Sequence, residues 1–216
     1  MLVLTIDTSG PECAAGIYDS STDRMLAFRS ETIGKGHAEM LPGMVEAAIA
    51  EASLSLSNLD RIAVAVGPGS FTGIRVGVAL ARGLALALKI PAVGVSTLQV
   101  VAEPHLAIAT APVMALIDAR RDALYAQLFA SDGSALNEPA ELAYDDAQAL
   151  ANSNRASIVG SGALILDGAS SPQIDAIALV TIGKIGARLP HTSRAHPLYI
   201  RGADAKPQTG FAVRHA

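Results

Sequence analysis

A short apolar run that ends in aspartate occurs twice in this chain. Residues 3–6 precede Asp7, and residues 113–117 precede Asp118. Each run has the length and the largely apolar character of a buried strand. The stretches after the two runs match each other as well. Residues 14–18 and 25–29 read as two further strands around a turn-rich stretch at 19–23, and Ala123–Phe129 with Ser131-Asp132-Gly133 answer them in the second half. Strands this close in sequence pair antiparallel, because a parallel pair needs a long crossover.

The period then changes. Leu41, Met44, Val45, Ala48 and Ile49 recur at helical spacing between positions 37 and 52, with Pro42 expected near the first turn or at a kink. Residues 61–66 read as a strand, 67–73 as a glycine-rich turn, 74–88 as a second helix and 92–95 as a strand, with Ser96 as the N-cap of a third helix. In the second half a strand at Ala140–Ala143 precedes a helix over 145–152. Ser157–Val159 then leads into Gly160-Ser161-Gly162, and a last helix covers 174–189. The echo lies in pattern and not in residue identity. Two β-β-β-α-β-α units, each opened by a strand that ends in aspartate, form the plan of the actin-like ATPase α/β fold (the ASKHA superfamily), with the second unit reduced. The expected boundaries are a lobe at 1–103, a smaller lobe at 104–190, and a C-terminal segment at 191–216 that packs back on the first lobe.

Composition narrows the partners. Of 216 residues, 50% are hydrophobic, yet tryptophan is absent and aromatics make up 4%. Small apolar side chains in such excess fit either a buried subunit interface or an alanine-rich proteome. A net charge of −4 argues against a broad basic face for nucleic acid, and the single cysteine, Cys13, has no partner for an internal disulfide. No basic leader is evident, and Gly, Arg and Lys break the longest apolar stretches short of a membrane span. A cytoplasmic chain that contacts no membrane is expected.

The candidate chemistry sits in three places. Asp7, Thr8 and Ser9 can either cradle a phosphate and a metal ion or make a hydrogen-bonded turn. Asp118 is followed by Ala119, Arg120 and Arg121, where a phosphate loop would want glycine. Gly67-Pro68-Gly69-Ser70-Phe71-Thr72-Gly73-Ile74-Arg75 joins a strand to a helix N-terminus, a geometry that favours anions. It lacks the Gly-Lys-Ser/Thr ending of the common phosphate loop and the Gly-x-Ser-x-Gly spacing of a nucleophile elbow. Arg75, placed in the first helical turn, either awaits an anion or is a solvated arginine. The helix after this loop is apolar nearly all round, and Gly73, Gly77 and Ala81 form a small-residue ridge. That ridge serves either a partner protein or packing against the first helix; on the partner reading, Gly77→Leu weakens pairing and leaves the monomer folded. No histidine pair has metal-ligand spacing, because Leu41 stands four residues after His37. No nucleophile–base pair emerges, so no catalytic residue and no metal ligand is assigned.

Several stretches together resemble the bacterial TsaB family, also called YeaZ. They are Ile6-Asp7-Thr8-Ser9, His37 with Leu41-Pro42, the glycine loop through Gly77, Gly83-Leu84-Ala85 and Gly94-Val95-Ser96-Thr97-Leu98. Leu116-Ile117-Asp118-Ala119-Arg120-Arg121 with Tyr125, and Pro197-Leu198-Tyr199-Ile200-Arg201, complete the set. The resemblance implies a non-catalytic subunit of the machinery that places a threonylcarbamoyl group on the adenosine beside the anticodon. In that family the catalytic paralogue TsaD holds a metal through paired histidines, and the ATPase TsaE docks on the TsaB–TsaD pair. ATP and threonylcarbamoyl-adenylate are used by the complex, with no cofactor expected on this chain, and tRNA is reached through the complex. Carried over, the partner surface comprises His37, Leu41, Met44, Val45 and Ala48 of the first helix. From the second helix it takes Arg75, Val76, Ala79, Arg82 and Gly83. Asp7, Thr8, Ser9, Gly67, Gly69, Ser70, Thr72, Gly73 and Asp118 become vestigial nucleotide loops. A homodimer is expected when the chain is alone. Gly10-Pro11 departs from the family's usual Thr-Glu and stiffens the first turn. The alternative is a small-molecule kinase or ATPase of the same superfamily that uses Asp7, Asp118 and the glycine loop.

Overall fold

The computed structural model describes residues 1–167 and 175–200. The first sheet contains β1 (Leu2–Asp7), β2 (Glu12–Asp19), β3 (Arg24–Thr32), β4 (Arg61–Gly67) and β5 (Ala92–Ser96) in the order β3-β2-β1-β4-β5. The second contains β6 (Val113–Arg120), β7 (Ala123–Phe129), β8 (Ala140–Ala143) and β9 (Ser157–Val159) in the order β8-β7-β6-β9. In both, an antiparallel meander is extended by a parallel strand beside its first member: β4 against β1, and β9 against β6. The duplication read from the apolar-run-plus-aspartate pattern is therefore present in the topology. The second sheet lacks a counterpart of β5 among the described residues.

The helices are α1 (His37–Glu51), α2 (Phe71–Leu88), α3 (Thr97–Leu106), α4 (Tyr144–Asn154), α5 (Ser161–Asp167) and α6 (Asp175–Arg188). Alternation along β1 sends Leu4 and Ile6 to the face covered by α1 and α2, while Val3 joins Tyr18, Ile182 and Ile185 on the face covered by α6. α3 is shared between the sheets. Its Val100 packs with the α6 side of the first, and Leu98, Ala102 and Leu106 pack against Val113, Ala115 and Phe129 of the second. The other face of the second sheet is covered through Ala147 and Ala151 of α4.

Four details depart from the sequence reading. α2 begins at Phe71 and not at residue 74, so Arg75 is its fifth residue and lies beyond the first turn. Gly160-Ser161-Gly162 is less a turn than the start of the short helix α5. Ser96 is the N-cap of α3 but makes no capping bond through its side chain. α2 is also long and apolar enough, by length and composition, to cross a membrane, contrary to the expectation that every apolar run is broken too early. Its inner residues Ile74, Val78 and Ala81 belong to the core on the first sheet.

α6 follows the second lobe in sequence yet packs on the first sheet, because its apolar stripe of Leu179, Ile182 and Ile185 meets the open face of that sheet. Arg61, the buried first residue of β4, locks it there. One guanidinium nitrogen, Nη1, donates to the carbonyls of Gly186 (2.6 Å), Leu189 (2.7 Å) and Ala187 (3.3 Å), and Nη2 donates to Nδ1 of His191 (2.9 Å). A cation placed on the unpaired carbonyls of a helix C-terminus satisfies both them and the helix dipole. Beyond α6 the chain runs along β5, where Gly94 N donates to Ser193 O (3.1 Å), and returns to β4, where Leu198 N donates to Val66 O (2.8 Å). The basic residues Arg201, Lys206 and Arg214 lie outside the described residues.

Candidate functional site

The first turn and the glycine loop close on each other. β1 and β4 run parallel and end side by side, which brings Asp7, Thr8 and Ser9 against Gly67, Gly69, Ser70 and Gly73. Asp7 Oδ1 accepts from Ser9 N (2.8 Å) and Ser9 Oγ (2.6 Å), a side-chain-closed turn. Ser9 O accepts from Ser70 N at 2.6 Å. The buried hydroxyl of Thr8 donates to Gly73 O at 2.7 Å. Ser70 caps α2, its Oγ accepting from Gly73 N at 3.3 Å, and Thr72 is exposed on the first turn. Behind the loop, Thr97 Oγ1 donates to Pro68 O at 2.6 Å. The side chains of Asp7, Thr8, Ser9 and Ser70 and the amides of Ser9, Ser70 and Gly73 are thus engaged within the two loops.

This closure also corrects the small-residue ridge. Gly73, Gly77 and Ala81 are buried and face inward. A β-carbon at Gly73 would fall on the Thr8 carbonyl, and one at Gly77 would lie 2.5 Å from Thr8 Oγ1 and 3.4 Å from Ile6 and Val64 side chains. At Gly73 and Gly77 the ridge lets α2 approach the β1 turn and leaves no room for a partner, while Ala81 joins the core that α1 also lines.

In the second lobe, Asp118 is exposed and engaged locally. Its amide donates to Ser161 Oγ (3.1 Å), and its Oδ1 accepts from Arg120 N (2.7 Å). β6 continues past Asp118 to Arg120, so the turn falls on Arg120, Arg121 and Asp122, at φ of 61°, 54° and 59°. Left-handed backbone at side-chain-bearing residues costs about 1–2 kcal/mol each. Tyr144 sits near this turn. Its phenol is pushed above the ordinary value by desolvation and then by Asp122 and Asp118.

The partner surface inherited from the resemblance divides in two. On α1, His37, Leu41, Met44, Val45 and Ala48 are buried, packed on β2 and β3, and this corrects their assignment as a contact surface. The apolar spacing that marked them is the spacing of a core face. His37 Nε2 donates to Glu12 O at 3.1 Å, a structural bond. The solvent side of α1 instead carries Glu39, Met40, Gly43 and Glu46. On α2, Arg75, Ala79, Arg82 and Gly83 are exposed and Val76 is half-buried, forming with Leu86 (83% exposed) one open stripe. Arg75 is held by aromatic rings: its guanidinium carbon lies 3.6 Å from the centre of Phe71, and its Nε donates to Tyr199 Oη at 2.9 Å. The sequence reading gives neither Phe71 nor Tyr199 this role. Phe71 is one helical turn before Arg75, a legible signal; Tyr199 comes from the far end of the chain. Among the described residues no group of three or more His, Cys, Asp or Glu side chains is placed to hold a metal ion.

Two meander-plus-parallel-strand sheets with helices on their faces define an actin-like ATPase α/β fold. The family model for TsaD, tRNA N6-adenosine threonylcarbamoyltransferase, matches residues 29–180. A Mycobacterium tuberculosis protein described as uncharacterized is 32% identical over 95% of this chain and 94% of its own length. The tRNA threonylcarbamoyladenosine biosynthesis protein TsaB of Escherichia coli is 34% identical over 58% of this chain and 53% of its own length. The structure of YeaZ from Pseudomonas aeruginosa superimposes with a TM-score of 0.68 at 26% identity, covering 92% of this chain and 99% of that one. The chain belongs to the TsaB/YeaZ family. Its alignments span about half the length of the TsaB-named relatives.

Proposed function

We propose that this chain is a non-catalytic subunit of the cytoplasmic machinery that forms threonylcarbamoyladenosine in tRNA. It pairs with a TsaD-like catalytic relative, and a TsaE-like ATPase docks on the pair. ATP and threonylcarbamoyl-adenylate are handled by those partners, and tRNA is met through the assembled complex. The observation that carries this reading is the closure of the Asp7–Thr8–Ser9 turn on the glycine loop. In a fold that holds a nucleotide between such turns, the Thr8 and Ser9 hydroxyls and the Ser70 amide are here spent within the two loops. Family membership supplies the pathway. The open stripe on α2 supplies a surface: an apolar face between two arginines, larger than a lone exposed side chain.

Reconstitution tests the proposal. The chain is mixed with the TsaD-like and TsaE-like proteins of the same organism, a source of threonylcarbamoyl-adenylate, and unmodified tRNA. Modification is expected only when this chain is present together with its partners. Modified tRNA from this chain alone would overturn the non-catalytic role. Calorimetric ATP binding lost in Asp7→Ala would favour the kinase alternative.

A further inference from the structure

Three consecutive residues engage three different parts of the molecule. Leu198 donates its amide to Val66 O at 2.8 Å and packs against the core that the first sheet shares with α1 and α2. Tyr199 points outward, its ring centre 5.6 Å from that of Phe71 on α2 and its hydroxyl accepting from Arg75 Nε at 2.9 Å. Ile200 packs against the cluster that α3 builds with β6 and β7 of the second sheet. Alternation along an extended segment sends neighbours in sequence to different sides in this way. We propose that residues 197–200 form a latch that sets the angle between the two lobes, with Phe71 and Arg75 as its catch. The latch needs no partner and is independent of the pairing proposed above.

The lobes share α3, whose Val100 packs on the α6 side of the first sheet while Leu98, Ala102 and Leu106 pack on the second. A shared helix by itself leaves a two-lobed fold free to pivot. Two ties restrain the pivot, one toward each end of β4. At the start of β4, where Arg61 bonds the last carbonyls of α6, Arg188 of α6 donates to both carboxylate oxygens of Glu103 on α3, at 2.6 and 2.5 Å. The strap bonds Val66 at the other end, about 16 Å along the strand. The first tie is a bidentate ion pair, the geometry in which an exposed pair holds best. The second is one backbone hydrogen bond plus side chains at the surface, with Phe71 45% and Tyr199 52% exposed. Aromatic and cation–π contacts in water are individually weak, so the strap end is the one that releases. Release frees Arg75 and the end of β4 together, and the lobe angle and the outer face of α2 are thereby coupled in both directions.

Electron paramagnetic resonance distances between the lobes test the latch. Cys13 is buried, so spin labels are confined to Ala50→Cys on α1 and Ala149→Cys on α4, both exposed positions. The latched protein is expected to give one narrow distance. Arg75→Ala removes the catch and Ile200→Ser the second-lobe contact. Each should broaden the distance about twofold or add a second population. Hydrogen exchange of the Leu198 amide should quicken about tenfold in both. His196→Ala, exposed just before the latch, should change neither readout. Arg75 is exposed, so its variant keeps the fold even if Ile200→Ser does not. A narrow distance and unchanged exchange in both variants would overturn the latch. Broadening in Ile200→Ser alone would overturn the catch, and equal broadening in His196→Ala would show general fraying of the segment and overturn the latch as well.

Discussion

Thr8 and Gly73, 65 residues apart, are joined by a buried hydrogen bond from the threonine hydroxyl to the glycine carbonyl. That bond ties the end of β1 to the first turn of α2 and holds the two loops closed. Thr8→Val keeps the shape and removes the donor. A loss of about 1–2 kcal/mol is expected in urea unfolding, with little change in the slope of the transition. Opening the loop pair should also expose the neighbouring amides, which hydrogen exchange at Ser9 and Ser70 would report.

The two exposures of glycine on α2 predict opposite outcomes. Gly77→Leu drives a side chain into Thr8, Ile6 and Val64 and is expected to destabilise the monomer by roughly 1–3 kcal/mol. Gly83 has open space above its Cα. There Gly83→Ala should raise monomer stability by about 0.5–1 kcal/mol through helix propensity alone. Thermal melting of both variants checks the pair; a folded, fully stable Gly77→Leu protein would place the ridge elsewhere.

Alkaline pH should unfold this protein through two buried acids. Burial, reinforced by Asp7 and Glu31, pushes the Cys13 thiol from its ordinary 9.0 up to about 11. Burial and the hydrogen bond to Asp23 push the Tyr18 phenol from 10.0 up to about 12. Both groups are protonated in the folded state and ionise first in the unfolded chain. Their stabilising effect is therefore complete below pH 9 and is lost progressively as pH rises through about 11 and then about 12. Urea midpoints between pH 8 and 12 should fall accordingly, and Cys13→Ala should delay the onset. At pH 8 the native thiol should also react with a disulfide reagent far more slowly than the denatured one.

Arg61 is the sole cation bonded to the C-terminal carbonyls of α6 among the described residues. Arg61→Met fills similar volume but strands those acceptors, at a cost of roughly 2–3 kcal/mol. Circular dichroism during chemical unfolding measures this directly. Arg61→Lys should recover only part, because one ammonium does not reach both the carbonyls and His191 as the guanidinium does.

Periodicity carries most of the architecture. The strands at Ala123–Phe129, Ala140–Ala143 and Ser157–Val159 lie where the apolar runs place them, because alternation and turn residues act within a few positions. Which way a helix faces is a different matter. α2 is apolar nearly all round, so its inner and outer sides look alike until Thr8 is seen under Gly73 and Gly77. The buried face of α1 reads as a contact surface for a related reason: a core stripe and an interface stripe have the same 3.6-residue period. The Arg75–Tyr199 bond and the Arg61 clamp span 124 and more than 120 residues, a separation that no local pattern encodes.

The return of α6 to the first sheet has a consequence for how the protein is made. On the ribosome, β1 to β5 emerge early, but Val3, Ala63 and Val93 keep one face uncovered until Ile182 and Ile185 arrive. The clamp that Arg61 forms must wait for Leu189 and His191, which follow the whole second sheet in sequence. The first lobe is thus finished last, and a nascent or truncated chain ending before residue 175 carries an exposed apolar sheet that invites chaperones or aggregation.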